Sequence, residues 1–227
     1  MPRRRPRSAR GSGTELRAEI LAATRELLAR TGNADSVSIR EVGELVGVTA
    51  PSIYRHFADK DELIDAAVAE VFEELDAAIA AATDPTVSPI ARLREQGLAY
   101  VRFALRHPGQ YRVATAAAPG EGPTAVDVVL RSGAFQRFSN GVREAMDAGF
   151  LAPGDPMPVV LELWSAAHGI ASLLIAKPHL PWGDAEAVAD RVMAAACLGH
   201  AVLDIIGGDT PSPDEGARWL AEVRQRR

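Results

Sequence analysis

Nine residues between positions 38 and 60 have types and spacings suited to reading a nucleic acid. Thr49 and Ser52 are short hydroxyls three apart with Pro51 between them, Tyr54, Arg55, His56 and Lys60 follow as longer polar groups, and Ser38 and Arg40 open the preceding segment. A helix that enters a DNA groove must be short, must offer small donors at its leading end to base edges, and must be fixed in register by phosphate contacts from its flanks. The two hydroxyls suit the first task; the phenol, guanidinium, imidazole and ammonium suit the second. Lys60 also falls in the first turn of the next helix, where unpaired N–H groups favour an anion, so a lysine and a helix start converge on one phosphate. The plain alternative is a helical hairpin whose polar side is merely solvated, but a solvated side has no need of Tyr54, His56 and Lys60 together beside a cap.

The elements that position these groups are legible as periodic apolar patterns. Thr14 offers an N-cap, and Leu16, Ile20, Ala23, Leu27 and Leu28 form a stripe that stops at Gly32, which predicts the first helix. Ser38 with Glu41 three residues later has the capping-box spacing, and Ile39, Val42, Leu45 and Val46 supply the inner side of a second helix. Beyond the Gly47-Val48-Thr49 corner a third helix starts near Thr49 or Ala50, with Pro51 in its first turn and Ile53 and Phe57, four apart, turned inward. Asp59 caps a fourth helix that runs to about Ala82. After Asp84-Pro85 and Ser88-Pro89, helices are predicted at about 89–106, 109–116, 123–147, 156–177 and 184–206, with a weaker one near 213–225. No stretch alternates with period two, so the expected fold is all-α.

At this point the chain resembles the TetR family of bacterial transcriptional regulators. A segment typical of that family, V-S-x-x-x-[IL]-Y-x-[HY]-F-x-x-K-[DE]-x-L, is matched here by Val48, Thr49, Ile53, Tyr54, His56, Phe57, Lys60, Asp61 and Leu63, and the likeness covers about residues 14–63. The resemblance implies that Thr49, Ser52, Tyr54, His56 and Lys60 touch DNA, with Ser38 and Arg40 at the preceding helix start. Pro51 stands where the family often has Gly or a small residue, and an apolar contact there favours a thymine methyl. Further on, Leu163-Trp164-Ser165-Ala166-Ala167-His168-Gly169 resembles the Trp-x-x-x-His-Gly signature of one type of TetR C-terminal domain. The implied organisation is a tail at 1–13, a helix-turn-helix domain at 14–62, a helical effector-binding and dimerisation body at 63–207, and a C-terminal tail at 208–227.

In the body, Trp164 and His168 are four apart and share a helical face. One stripe holds Leu161, Trp164, His168, Ala171 and Ile175, and an adjacent one holds Val160, Leu163, Ala167, Ile170 and Leu174, more apolar circumference than one core requires. The next helix, with Val192, Ala195, Gly199 and Leu203, has small residues that let another backbone approach. Two such neighbours predict a four-helix dimer interface, which is also where the resemblance places it. Tyr100, Phe103, His107, Tyr111, Phe135, Phe138, Met157, Trp164 and His168 are candidate walls of a cavity for a small molecule. His168 lacks a second ligand at helical spacing, so no metal is expected, and no cofactor is implied. Cys197 reads as inert core.

Composition sets the outer limits. The first 60 residues carry eleven basic and seven acidic side chains, +4, and the remainder fourteen and twenty-three, −9, giving −5 over 227 residues. A basic head on an acidic body suits contact with nucleic acid. Arg3, Arg4, Arg5, Arg7 and Arg10 form a tail without an acid, read either as a solubilising end or as an arm that reaches phosphates. No apolar segment follows that tail, and the helical charge-free run Val192–Leu203 has twelve residues, short of the roughly 20 that span a bilayer. A cytoplasmic location without membrane contact is therefore expected. The five histidines are scattered, and neither a Gly-rich phosphate loop nor an HExxH or GxSxG string occurs, which argues against an enzyme. The reading is a homodimeric regulator of double-stranded DNA, a repressor released from an inverted repeat by a small molecule; a DNA-binding or architectural protein without an effector is the alternative.

Overall fold

A computed structural model describes residues 12–116, 123–206 and 212–226. The Arg-rich tail of residues 3–10 lies outside the described residues, as do 207–211 at the head of the C-terminal tail. Among the described residues every regular element is an α-helix: α1 Ser12–Thr31, α2 Ile39–Val46, α3 Ala50–Ile53, α4 Lys60–Ala81, α5 Pro89–Arg106, α6 Pro108–Ala114, α7 Ala125–Ser132, α8 Ala134–Asp147, α9 Pro156–Ala176, α10 Ala185–Ile206 and α11 Pro213–Gln225. They form two compact units, one of residues up to Ala77 with Phe103–Ala134, the other of Ala78–Arg102 with residues from Phe135 onward. The first therefore takes α6 and α7, which lie beyond the boundary expected at residue 62.

In the first unit, α1 buries Ile20, Leu21, Leu27 and Leu28, and α4 buries Leu63, Ile64, Ala67, Val68, Val71, Phe72 and Leu75. Full burial of each large aliphatic contributes roughly 1.5–3 kcal/mol. Thr24 is buried on the same side of α1, its hydroxyl donating to the Ile20 carbonyl at 2.8 Å, so the one polar group on that side is satisfied. α6 rests on the end of α1 almost backbone to backbone. A Cβ on Gly109 would lie 2.6 Å from the Leu28 carbonyl oxygen, and buried Gln110 donates from Nε2 to the Arg25 carbonyl at 3.3 Å. α7 is tied to α4 by the Ala125 N–H, which donates to Asp65 at 2.7 Å.

In the second unit α9 and α10 lie side by side, joined through a bend at Gly183, with Ala189, Met193 and Cys197 as the buried residues of α10. α8 approaches α5 closely at Gly141, where a Cβ would sit 2.9 Å from Leu93 Cδ2. Arg92 pairs with Glu144 across those two helices, and Arg94 and Arg102 on α5 pair with Asp190 and Glu186 on α10. α11 starts in a full capping box between Ser212 and Glu215 and buries none of its side chains.

Four local expectations are corrected. α1 begins at Ser12, so Thr14 lies inside the helix and does not cap it. Ser38 is the N-cap of α2 without a side-chain cap bond, and Glu41 pairs with Arg30 at the end of α1; capping bonds form at the start of α4, where the Glu62 N–H donates to Asp59 at 2.8 Å and the Glu62 carboxylate accepts from the Ala58 N–H. The helix expected over 123–147 is two helices, broken at Gly133, where a Cβ would meet the Asp76 carboxyl at 3.0 Å. Finally, α9 has 21 residues and holds an 18-residue window with a mean hydropathy of 1.7, long and apolar enough by length and composition to cross a bilayer, unlike the twelve-residue run in α10. Seven of its residues, Pro156, Val160, Leu163, Ala167, Ile170, Ala171 and Leu174, are buried inside the protein.

Candidate nucleic-acid interface and helical body

Two glycines shape the corner that sets up the reading segment. Gly47 closes α2 with φ 75°, in the left-handed region that favours glycine, and its N–H donates to the Gly43 carbonyl. A Cβ on Gly43 would stand 2.8 Å from the Val48 carbonyl oxygen, so the turn doubles back against α2 only because that position is bare. Ile53 and Phe57 are 0% and 2% exposed and pin the short α3 from beneath. Thr49, Pro51, Tyr54 and Arg55 are left exposed, with Ser52, His56 and Lys60 partly so.

Three of these groups form one hydrogen-bonded chain. Arg55 donates from Nη2 to Ser52 Oγ at 3.1 Å, and Ser52 Oγ lies 3.3 Å from Thr49 Oγ1. The Ser52 oxygen thus accepts from Arg55, which leaves its proton for Thr49 or an outside acceptor. Tyr54 presents about half of its surface to water, 48% exposed. Lys60 donates to the Asp35 carbonyl at 3.1 Å, Arg40 pairs with Glu44 at 2.9 Å, and Ser38 is exposed at the start of α2. Sequence reasoning missed Arg17. Its guanidinium lies 5.1 Å from the centre of the Phe57 ring, and a Cβ on nearby Gly13 would come within 4.0 Å of His56, so the first turns of α1 flank the reading segment. That contact joins residues 40 positions apart, and no local pattern signals it.

The side chains proposed as cavity walls fall into two groups. Within the first unit, Phe103 meets Phe72 edge-on at 5.5 Å and lies 4.7 Å from the His107 ring, while Tyr111 is buried. His107 stands 3.8 Å from Glu74, yet burial holds its imidazole below the usual range against the pull of that carboxylate. Within the second unit, Tyr100 Oη is 3.2 Å from His168 Nδ1, and Ser172 Oγ is 3.3 Å from Nε2. A neutral imidazole donates from one nitrogen only, so one hydroxyl gives it a proton and the other receives one. Burial lowers the His168 pKa and favours that neutral ring. Trp164 lies 5.3 Å from both the His168 and Phe135 rings, and its Nε1–H is buried without an acceptor. Phe138 is buried and Met157 exposed. Burial pushes the Cys197 thiol up to about 11, which keeps it protonated and unreactive.

The residues expected at the dimer face divide by burial. Val160, Leu163, Ala167, Ile170 and Leu174 are at most 6% exposed and face the interior of one protomer. Because α9 is apolar nearly all round, the sequence pattern does not tell its inward stripe from its outward one. The outward large apolar residues are Met157, Leu161 and Leu173 on α9 and Leu198 and Ile205 on α10, while Val192, Ala195, Gly199 and Leu203 keep partial or full exposure.

A helix-turn-helix with an exposed reading segment, on an otherwise helical chain, is the build of a DNA-binding regulator. A family model for bacterial regulatory proteins of the tetR family matches residues 20–67, and one for tetracyclin repressor-like C-terminal domains matches residues 93–220, over half of the 227 residues. The chain belongs to the TetR family of bacterial regulatory proteins. It is 30% identical over 98 residues to the HTH-type transcriptional repressor KstR2 of Mycobacterium tuberculosis, covering 43% of this chain and 48% of that one. Over 100 residues it is 28% identical to the nucleoid occlusion factor SlmA of Vibrio campbellii, covering 44% and 51%. The chain thus spans about half the length of these curated relatives. A solved Rhodococcus sp. RHA1 structure superposes with a TM-score of 0.70 at 28% identity, covering 82% of this chain and 95% of that one.

Proposed function

We propose that the chain is a cytoplasmic homodimeric repressor that leaves an inverted-repeat operator when a small molecule enters its helical body. The reading head is assigned to residues 14–62 and the effector-binding, dimerising body to 63–207. The observation that carries the reading is the exposed Thr49–Ser52–Arg55 chain beside Tyr54, pinned from beneath by Ile53 and Phe57. Thr49, Pro51 and Ser52 meet base edges; Ser38, Arg40, Tyr54, Arg55, His56 and Lys60 hold phosphates, which positions the helix without itself specifying sequence. The repressor role is supported by the likeness to KstR2. Dimerisation is supported by the outward leucines of α9 and α10 and by Gly199, where a Cβ would meet nothing within 4 Å, so that bare position serves no packing inside the chain.

Effector binding can shift the DNA affinity only through a difference in affinity for the two dimer geometries. The test is a titration of the chain's own promoter DNA against salt, with native protein and with Tyr54 and Lys60 both changed to alanine. The double variant should bind weakly to every sequence, with a salt slope lower by roughly 1 from the lost lysine; unchanged affinity and slope would overturn the reading. A second reading, a DNA-binding protein without an effector, is favoured by the likeness to SlmA. It predicts operator affinity unmoved by any compound that binds the body.

A further inference from the structure

We propose that the Trp164–His168 cluster of the second unit recognises a neutral, planar carbonyl compound, with the Trp164 indole N–H donating to the carbonyl oxygen. The proposal rests on the effector reading for its biological consequence and on the cluster alone for its chemistry. An indole nitrogen only donates, and here it is buried with no acceptor among the described residues. Leaving a buried donor unmet costs about 1–3 kcal/mol, which a ligand bringing an acceptor removes. The polar neighbours are committed to one another, since Tyr100 and Ser172 hold the two nitrogens of the intervening imidazole.

The walls favour a flat ligand. Phe135 stands edge-on to Trp164 at 78°, and His168 lies tilted 34° from it, so the surroundings of the indole are aromatic. Trp164 and His168 each keep partial exposure while the Nε1 atom is covered, so the ligand must displace a neighbouring side chain to reach it. Charge decides the rest. Tyr100, Phe135, Trp164 and Ser172 are uncharged, and burial disfavours a proton on His168. A carboxylate ligand finds no cation among these five residues and an amine no anion, and burying an unpaired ion costs several kcal/mol.

The test uses the full chain and three probes: coumarin, which is planar, neutral and carries a lactone carbonyl; naphthalene, of similar outline without an acceptor; and 2-naphthoate, the same ring pair bearing a carboxylate. Calorimetry should find coumarin bound about tenfold more tightly than naphthalene, the value of one buried hydrogen bond, with 2-naphthoate weakest. Trp164→Phe keeps a ring and removes the N–H, so it should bind coumarin and naphthalene alike with naphthalene affinity unchanged. Should that variant fold poorly, the indole N–H signals of ¹⁵N-tryptophan-labelled native protein, assigned through Trp182→Phe and Trp219→Phe, serve in its place. Coumarin, and not naphthalene, should shift the Trp164 signal. Equal affinity for the two neutral probes, no binding of coumarin, a preference for the anion, or a preference surviving in Trp164→Phe would overturn the proposal. Promoter DNA titrated in parallel separates the two readings. Coumarin preference without a change in DNA affinity keeps the site and removes its effector role, whereas DNA binding without coumarin preference removes the site and keeps the regulator.

Discussion

Gly43 has no room for a methyl group, since a Cβ there would be 2.8 Å from a backbone carbonyl oxygen that has nowhere to go. Gly43→Ala should therefore destabilise the protein by about 1–3 kcal/mol, the usual cost of overpacking, and should weaken DNA binding because the displaced Val48 leads into the reading segment. Urea denaturation and promoter titration check both effects. A pH response is expected from His107 and His168, whose pKa values burial lowers from 6.5. Above 6.5 both rings are neutral folded or unfolded, and nothing is lost. As pH falls below 6.5 the unfolded chain takes up protons that the folded chain resists, so stability declines until the lowered folded pKa is passed. Asp84, Asp190 and Glu215, lowered from 3.8, 3.8 and 4.5, add their loss only at more acidic pH. Melting temperature should fall between pH 7 and 5.5, and less so in His168→Gln.

At the scale of elements, α9 and α10 present two apolar surfaces with opposite consequences for substitution. Leu163 is 1% exposed inside the second unit, so Leu163→Ala should cost about 2–5 kcal/mol by denaturation. Leu198 and Ile205, 57% and 70% exposed, contribute little to a single chain. Changing both to glutamate should leave monomer stability within about 1 kcal/mol yet abolish the dimer in sedimentation; a dimer that persists would place the seam elsewhere. The pattern of α9 shows that the helix exists and is apolar, but an all-round apolar helix does not announce which side meets its own chain. The break at Gly133 was equally hidden, because a glycine within a helical pattern reads as tolerated until the Asp76 carboxyl beside it is seen.

Across the whole molecule, the legible parts were those fixed by local spacing. Ile53 and Phe57 four apart, the glycine corner, and Asp59 before α4 all carry their meaning within a few residues, and the helical class followed from them. Illegible parts depended on residues distant in sequence: Arg17 over Phe57, Tyr100 against His168, and α6 against α1. Hydrophobic periodicity records that a face will be covered and never by what. The seat of α6 has a consequence for anyone wishing to exchange heads between family members. Gly109 abuts the Leu28 carbonyl, Gln110 bonds to the Arg25 carbonyl, and the Arg112 guanidinium curls around Gly32, so the last turns of α1 are finished by a helix nearly eighty residues later in the chain. A graft cut after α4 would carry the reading helices but arrive without the keystone that seats them, and a workable chimera must bring α6 along.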